Sequence, residues 1–374
     1  MIIYGIDAHL LLRVHKDGVP RYAAMLLDAM MQQPLLEDER VVLYANGAKP
    51  DEIVLPTGWS WKTLRWPIPR GWTHGRLSLE MLLWPPSVLF VPGHEVPMFM
   101  RSSIAAVTTV HDVAFKVLPD VYEPAAVRRQ DIAVRRAIGR AQTLLVPSNA
   151  TMNELVHEYH VDVKRIVVTP LAPTISVVDA DADDVLRRYR IGDGQYIVAI
   201  SRLEKKKNTL LLVRAFAALK RKLGHSHPLT LVLAGQFGFG EREIRRAITE
   251  EQVDDEVRLL GYVNDHDASA LLRHARCFAF PSRAEGFGIP MLEAMAHGTP
   301  IIASNISSSI EVAGDAALLV SQNDISAFTR GLETLVHDSA LCERYRQAGF
   351  ARVQAFSWDV CATETWKALR ASIR

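Results

Sequence analysis

The chain has 374 residues, 23% of them charged and 49% hydrophobic, a globular composition too long for one ordinary domain. A formal net charge of +1 speaks against nucleic acid as the main partner. The three cysteines, Cys277, Cys342 and Cys361, show no Cys-x-x-Cys or Cys/His spacing, so neither a disulfide framework nor a zinc site is indicated.

The first residues, MIIYGIDAHLL, lack the basic and long apolar segments of a signal peptide, and no apolar run reaches bilayer-spanning length. A cytoplasmic protein is expected, free or resting on a membrane surface. Short apolar runs then follow one another as strand candidates: IIYGIDA, VVLYAN, SVLFVPG, AAVTTVHDV, TLLVPSN and IVVTP. Amphipathic stretches lie between several of them, among them VPRYAAMLLDAMMQQ and AVRRQDIAVRRAIGRA. Near-continuous apolar strands alternating with helices predict a parallel sheet covered on both faces.

The pattern restarts after the acidic, strandless stretch SVVDADADDVLRRYRIGDGQ. Strand candidates YIVAIS, LTLVLAG, EVRLLGY, CFAFPS, PIIAS and AALLV alternate with helix candidates, and the end from Ser326 reads as consecutive helices. The predicted class is α/β, with Rossmann-like domains at 1–173 and 174–355 facing each other across a cleft. A final helix over 356–374 is expected to pack back toward the first domain.

The most informative stretch is PSRAEGFGIPMLEAMAHGTPIIAS, from Pro281. It reads as strand end, loop, helix and strand. Gly286 and Gly288 allow backbone to approach a ligand closely. A helix starts near Ile289 and Pro290, where free N–H groups can hold an anion. Glu285 in the loop and Glu293 two turns later offer carboxylates for paired hydroxyls. Isolated glutamates of this kind are ordinarily solvated charges; the glycines, the proline and the preceding strand set this pair apart. The stretch resembles the E-x7-E signature of the retaining glycosyltransferase family 4, which has the GT-B fold. The resemblance implies that Glu285 lies by the donor sugar, that Glu293 binds the ribose, and that the backbone of Gly286, Phe287 and Gly288 contacts sugar and phosphate.

ISRLEKKKN follows the first strand of the second domain, with Arg202 and Lys207 bracketing a turn. Arg grips phosphate bidentately and Lys adds a point charge. Lys205 and Lys206 read as solvated. The family resemblance assigns Arg202 and Lys207 to the donor diphosphate, where fixed cations stabilise the departing charge of an oxocarbenium-like transfer. The Asp-x-Asp spacings at Asp179, Asp181 and Asp183 lie in the acidic linker and read as solvated charges, so no metal and no cofactor is expected.

In the first domain, DGVPRYAAML resembles the family's glycine-rich turn, retaining Gly18 but carrying Asp17 and Pro20 where glycines are common. Arg21 either serves the site or covers its helix. His111, at a strand end, matches a family histidine near the donor sugar, and Asp112 either tethers it or binds a sugar hydroxyl. No enzymic nucleophile stands out, so the resemblance implies front-face transfer. Trp59, Trp61, Trp66, Trp72 and Trp84 suit sugar stacking, a membrane interface or simple core packing. The arginines of AVRRQDIAVRRAIGRA suit anionic lipid or a solvated helix face.

HDVAFKVLPDVYEP and SNISSSIEVAGDAALLV resemble bacterial mannosyltransferases of polysaccharide and O-antigen assembly. The resemblance implies a GDP-mannose donor, with GDP-rhamnose next, and a glycan or lipid-linked acceptor. Two rivals stand beside this reading. One is an epimerase or dehydrogenase, disfavoured by the absent G-x-G-x-x-G after the first strand. The other is a non-catalytic partner of the same fold.

Overall fold

A computed structural model describes residues 1–13, 18–68, 71–178, 182–192, 195–224 and 226–373. The chain forms two compact units. The first comprises Met1–Val117, Ala125–Leu171 and Ser357–Arg374; the second comprises Leu118–Pro124 and Ala172–Phe356.

The first unit is built on seven strands: β1 (Ile2–Asp7), β2 (Glu39–Ala45), β3 (Trp59–Thr63), β4 (Val88–Val91), β5 (Ala105–Thr109), β6 (Thr143–Val146) and β7 (Ile166–Val168). They pair in parallel in the order β3-β2-β1-β4-β5-β6-β7. The second sheet holds β8 (Tyr196–Ile200), β9 (Thr230–Ala234), β10 (Val257–Gly261), β11 (Cys277–Phe280), β12 (Ile301–Ser304) and β13 (Leu318–Val320). Its order is β10-β9-β8-β11-β12-β13, again all parallel. The central strands β4, β5, β11 and β12 are buried at every residue. Side chains alternate across a sheet, so both faces are covered, which explains why these strands read as unbroken apolar runs.

The helices are α1 (Val19–Met31), α2 (Ser78–Leu83), α3 (Ala114–Val117), α4 (Pro124–Arg140), α5 (Asn149–Tyr159), α6 (Ala182–Tyr189) and α7 (Thr209–Leu223), then α8 (Glu241–Glu250), α9 (Asp265–Arg273), α10 (Ile289–Ala296), α11 (Ser307–Ala313), α12 (Ile325–His337), α13 (Ser339–Val353) and α14 (Trp358–Ala371). Among the described residues, no helix is long and apolar enough to cross a membrane.

β3 is absent from the apolar pattern. As an edge strand it buries Trp59 and leaves its other residues partly or fully open, so no apolar run marks it. Leu118–Pro124 also departs from a simple boundary near Pro173. It belongs to the second unit, where Asp120 pairs with Arg283 at 2.9 Å and the Lys206 ammonium lies 6.0 Å from the Tyr122 ring centroid.

The last helix, α14, is part of the first unit and packs on α1. Ser357 caps it by accepting from the Asp359 N–H at 3.1 Å. Trp366 is buried edge-on against Tyr4 and Trp59. Arg370 grips both oxygens of the buried Glu39 carboxylate, at 2.9 and 2.8 Å. Tyr4 and the Leu36 N–H, each at 2.9 Å, complete its partners. The Arg370 bonds are the main cause that lowers the Glu39 carboxyl to about 2. Removing the guanidinium strands a buried carboxylate. Arg370→Ala should therefore lower stability by about 3 kcal/mol in urea denaturation; a loss below about 1 kcal/mol would mean that the pair does not anchor α14.

Candidate functional site

In the second sheet β8 lies between β9 and β11, so the connections after β8 and β11 leave in opposite directions. Ligands of open α/β sheets bind at such a reversal. The turn after β8 is clamped from both sides. Leu203 N–H donates to the Gln236 carbonyl at 2.9 Å and Gly238 N–H returns to the Leu203 carbonyl at 3.0 Å. On the other side Arg283 N–H donates to the Lys206 carbonyl at 2.9 Å. Gly235, at φ +142°, permits the approach: a Cβ there would lie 1.9 Å from the Ser201 carbonyl oxygen.

This frame carries the expected cations. Lys207 Nζ donates to Glu285 Oε1 at 2.5 Å, joining the loops after β8 and β11. The Arg202 side chain is 60% exposed, with Nε 3.7 Å from Glu204 Oε2, and so is held only loosely. Of the other two lysines, Lys206 is not the solvated charge expected. Lys206 is only 8% exposed, because its backbone and side chain join the clamp. Lys205 pairs with Glu243 at 2.8 Å and lies over the Phe239 ring.

α10 starts as the sequence suggests, with Gly288 at φ +119° as N-cap and Pro290 in its first turn, and Gly298 at φ +69° follows its end. Phe287 is buried edge-on against Phe356, 5.7 Å between centroids, which fixes the loop backbone on either side of it. Glu293 is buried, and its Oε1 accepts from Thr174 Oγ1 at 2.5 Å. His297 fastens the same turn, its Nδ1 2.7 Å from the Glu293 carbonyl and its Nε2 2.9 Å from Ser269 Oγ. Thus Arg202, Lys207, Glu285, Gly286, Phe287, Gly288 and Glu293 all belong to one framework at one sheet reversal.

Sequence reasoning missed Thr174, which sits outside any motif. It also missed the hydroxyls of Ser282, Ser304, Ser308 and Ser309, which are buried without a hydrogen-bond partner after β11, at the end of β12 and at the start of α11. Buried unsatisfied hydroxyls ordinarily find a partner, and here the run of serines after a strand end is the only sequence signal.

The first unit has its own reversal, at β1 between β2 and β4. A crevice of about 360 Å³ opens there, lined by Asp7, His9, Arg13, Pro20, His94 and Glu95 among others. The buried Asp7 carboxylate accepts from both the backbone N–H of His9, at 3.1 Å, and its ring Nδ1, at 2.7 Å. That leaves Nε2 as the second ring nitrogen. His94 Nδ1 is buried without a partner. Neither residue was singled out in the sequence, since each stands alone just past a strand end. Gly18, at φ +54°, caps α1 beside this crevice, where Val19 and Pro20 contribute to the lining. Asp17 lies outside the described residues.

His111 follows β5, packed edge-on against Tyr22 at 4.6 Å. Its Nε2 lies 2.9 Å from the Pro92 carbonyl, an acceptor only, so Nε2 carries the hydrogen and Nδ1 is left as an acceptor. The Asp112 carboxylate accepts from the Ala114 N–H at 3.1 Å. Burial holds the imidazole down to about 4, against the opposing bond to Pro92.

The model of glycosyl transferases group 1 matches residues 183–352, and that of glycosyltransferase family 4 matches residues 16–172. The chain is 31% identical over 268 residues to O-antigen chain mannosyltransferase B of Escherichia coli, covering 71% of this chain and 70% of that protein. The chain is a family 4 glycosyltransferase. A second relative of this glycosyltransferase, the serotype-specific mannosyltransferase WbdA of E. coli, is 27% identical over 224 residues. That match covers 59% of this chain and only 27% of the much longer WbdA. Among solved structures, the sucrose-phosphate synthase of Thermosynechococcus elongatus matches with a TM-score of 0.74 at 18% identity, over 99% of both chains. The glycosyltransferase therefore has the GT-B fold, with two parallel-sheet α/β domains. Of its Asp-x-Asp residues, Asp183 lies in the first turn of α6, and Asp179 and Asp181 lie outside the described residues.

The depressed His111 gives a pH signature. Between pH 6.5 and about 4 the unfolded chain takes up a proton that folded His111 refuses. Its contribution to stability is therefore complete above 6.5 and is lost as pH falls toward about 4. His94 and His297 are lowered too, chiefly by burial, and act in the same direction. His111→Gln should flatten the slope of urea-denaturation stability over this window. An unchanged slope would show that His111 is not held neutral.

Proposed function

We propose that this glycosyltransferase moves mannose from GDP-mannose, with retention of anomeric configuration, onto a glycan or lipid-linked acceptor of the O-antigen kind. The single observation that carries the reading is the Lys207–Glu285 pair, which joins a diphosphate-type cation to a sugar-type carboxylate at the sheet reversal. The names of the similar E. coli proteins support mannose as the sugar.

In this reading Arg202, exposed and loosely paired, swings onto the donor diphosphate, while Lys207 reaches it from its seat on Glu285. Both neutralise the charge that grows as the bond from sugar C1 to phosphate oxygen breaks. Glu285 accepts from hydroxyls of the mannose. Glu293 exchanges the Thr174 hydroxyl for the ribose diol. The backbone of Gly286, Phe287 and Gly288 lies along sugar and phosphate, and Gly18 adds a backbone N–H. His111, neutral and fixed by Pro92, orients the reacting sugar. The acceptor oxygen bonds to C1 on the face that the phosphate leaves, and the acceptor proton passes to the departing diphosphate oxygen. Two side-chain cations supply the charge that a metal would otherwise bring, so turnover is metal-independent.

The test is a thermal-shift screen of GDP- and UDP-sugars, GDP-rhamnose included, followed by transfer assays and NMR assignment of the new anomeric centre. GDP-mannose should stabilise the protein and give an α-linked product. Arg202→Ala and Lys207→Ala should each lower kcat at least about a hundredfold, and Glu293→Gln should raise the donor KM about tenfold. Stabilisation by GDP-rhamnose alone would replace the donor. Donor binding without transfer to any acceptor would make the chain a non-catalytic partner. Separately, turnover should survive chelation in full; strict loss restored by a divalent ion would overturn the metal-independent mechanism.

A further inference from the structure

Helix α2 turns its apolar side outward. Leu79, Leu82 and Leu83 stand at i, i+3 and i+4, which places them on one face. All three are exposed, Leu79 at 48% and Leu83 at 49%, and Trp84, just past the helix, is 58% exposed. The opposite side holds Met81 and Glu80, both buried. The Glu80 carboxylate is neutralised there by Lys62 at 2.5 Å and Arg76 at 2.9 Å. A helix surrounded by water has the reverse arrangement, leucines inward and glutamate outward. Exposed Phe99 extends the patch, since its N–H donates to Ser78 Oγ at 3.2 Å, at the first residue of α2.

The rim of this patch is cationic. Arg101 Nε donates to the Leu82 carbonyl at 2.5 Å, Arg140 Nη2 donates to the Met98 carbonyl at 3.0 Å, and the Lys62 ammonium lies 5.1 Å from the Trp84 ring centroid. Arg101, Lys62 and Arg140 are exposed. Among the described residues the carboxylate paired to this rim is Glu80, which is already inside. The arginines of α4 divide accordingly: Arg140 joins the rim, Arg136 binds His74 at 3.2 Å just before α2, and Arg135 turns to Asp131 at 2.8 Å. The tryptophans divide as well, with Trp59 and Trp72 buried and only Trp84 in the patch.

We propose that this face of the first unit docks on the surface of an anionic phospholipid bilayer. Leu79, Leu82, Leu83, Trp84 and Phe99 enter the boundary between head groups and acyl chains, and Arg101 and Arg140 meet the lipid phosphates. Apolar area and cationic charge together match the two components of interfacial binding, and the exposed leucines and aromatics would otherwise remain a standing contact with water. The proposal is independent of which sugar the enzyme moves, and its test needs no turnover.

The test is flotation of the full chain with vesicles of phosphatidylcholine, with and without phosphatidylglycerol. The wild type should float with the phosphatidylglycerol vesicles, less so at high salt, and poorly with phosphatidylcholine alone. The variant Leu79→Ser/Leu83→Ser/Trp84→Ser should lower partitioning at least about tenfold with its circular dichroism melt unchanged. Arg101→Glu should remove much of the salt-dependent part while leaving the apolar part. Wild type that stays unbound to phosphatidylglycerol vesicles would overturn the proposal, as would a triple variant that floats like the wild type. Concentration-dependent self-association, abolished by the triple variant and seen without vesicle binding, would assign the face to a second copy instead.

Discussion

Gly235 stands where a Cβ would lie 1.9 Å from the Ser201 carbonyl oxygen, and the framework at the reversal of the second sheet depends on that approach. With no side chain in the way, the strand ends of β8 and β9 come together, and hydrogen bonds lock the turn between them. The loop after β11 closes from the other side through Arg283 and the Lys206 carbonyl. A turn held on both flanks cannot wander, so Lys207 is already oriented before any ligand arrives. Preorganised charge of this kind needs little rearrangement at the moment of reaction, which is where electrostatic catalysis gains most. Arg202 is the exception, exposed and only loosely paired with Glu204.

Buried carboxylates show how the molecule separates structure from chemistry. Glu39 is surrounded by Arg370, Tyr4 and the Leu36 N–H, and every strong acceptor direction is taken. Glu80 is likewise neutralised by Lys62 and Arg76. Such groups tie elements together. Glu285 and Glu293 differ in kind. Glu285 holds its lysine at a sheet reversal, and Glu293 accepts from a neutral hydroxyl on Oε1. His111 follows a similar logic in the first unit: one nitrogen is fixed on the Pro92 carbonyl and the other remains an acceptor.

What was legible in the chain follows from which constraints are local. Strands buried on both faces announce themselves as apolar runs, and the glycines and proline around α10 are dictated by a backbone path that few residues can take. Hence the two α/β units and the motif from Pro281 to Ser304 could be read directly. β3 could not, because an edge strand needs only one buried side chain such as Trp59 and leaves polar residues on its open side. Lys206 could not be told from its neighbours either. Three lysines in a row look alike until the clamp takes one of them inside.

By itself, then, the sequence determined the class of fold, the number of sheets and the backbone path of the loop and helix start after Pro281, since apolar periodicity, glycine and proline act through the backbone at short range. Only the tertiary structure decided which partners those residues have. Thr174 on Glu293, Asp7 on His9, Pro92 on His111 and the outward leucines of α2 each depend on where a distant segment lies. Hydrogen bonds and burial are fixed by proximity in space, and the order of residues along the chain carries no record of it at these positions.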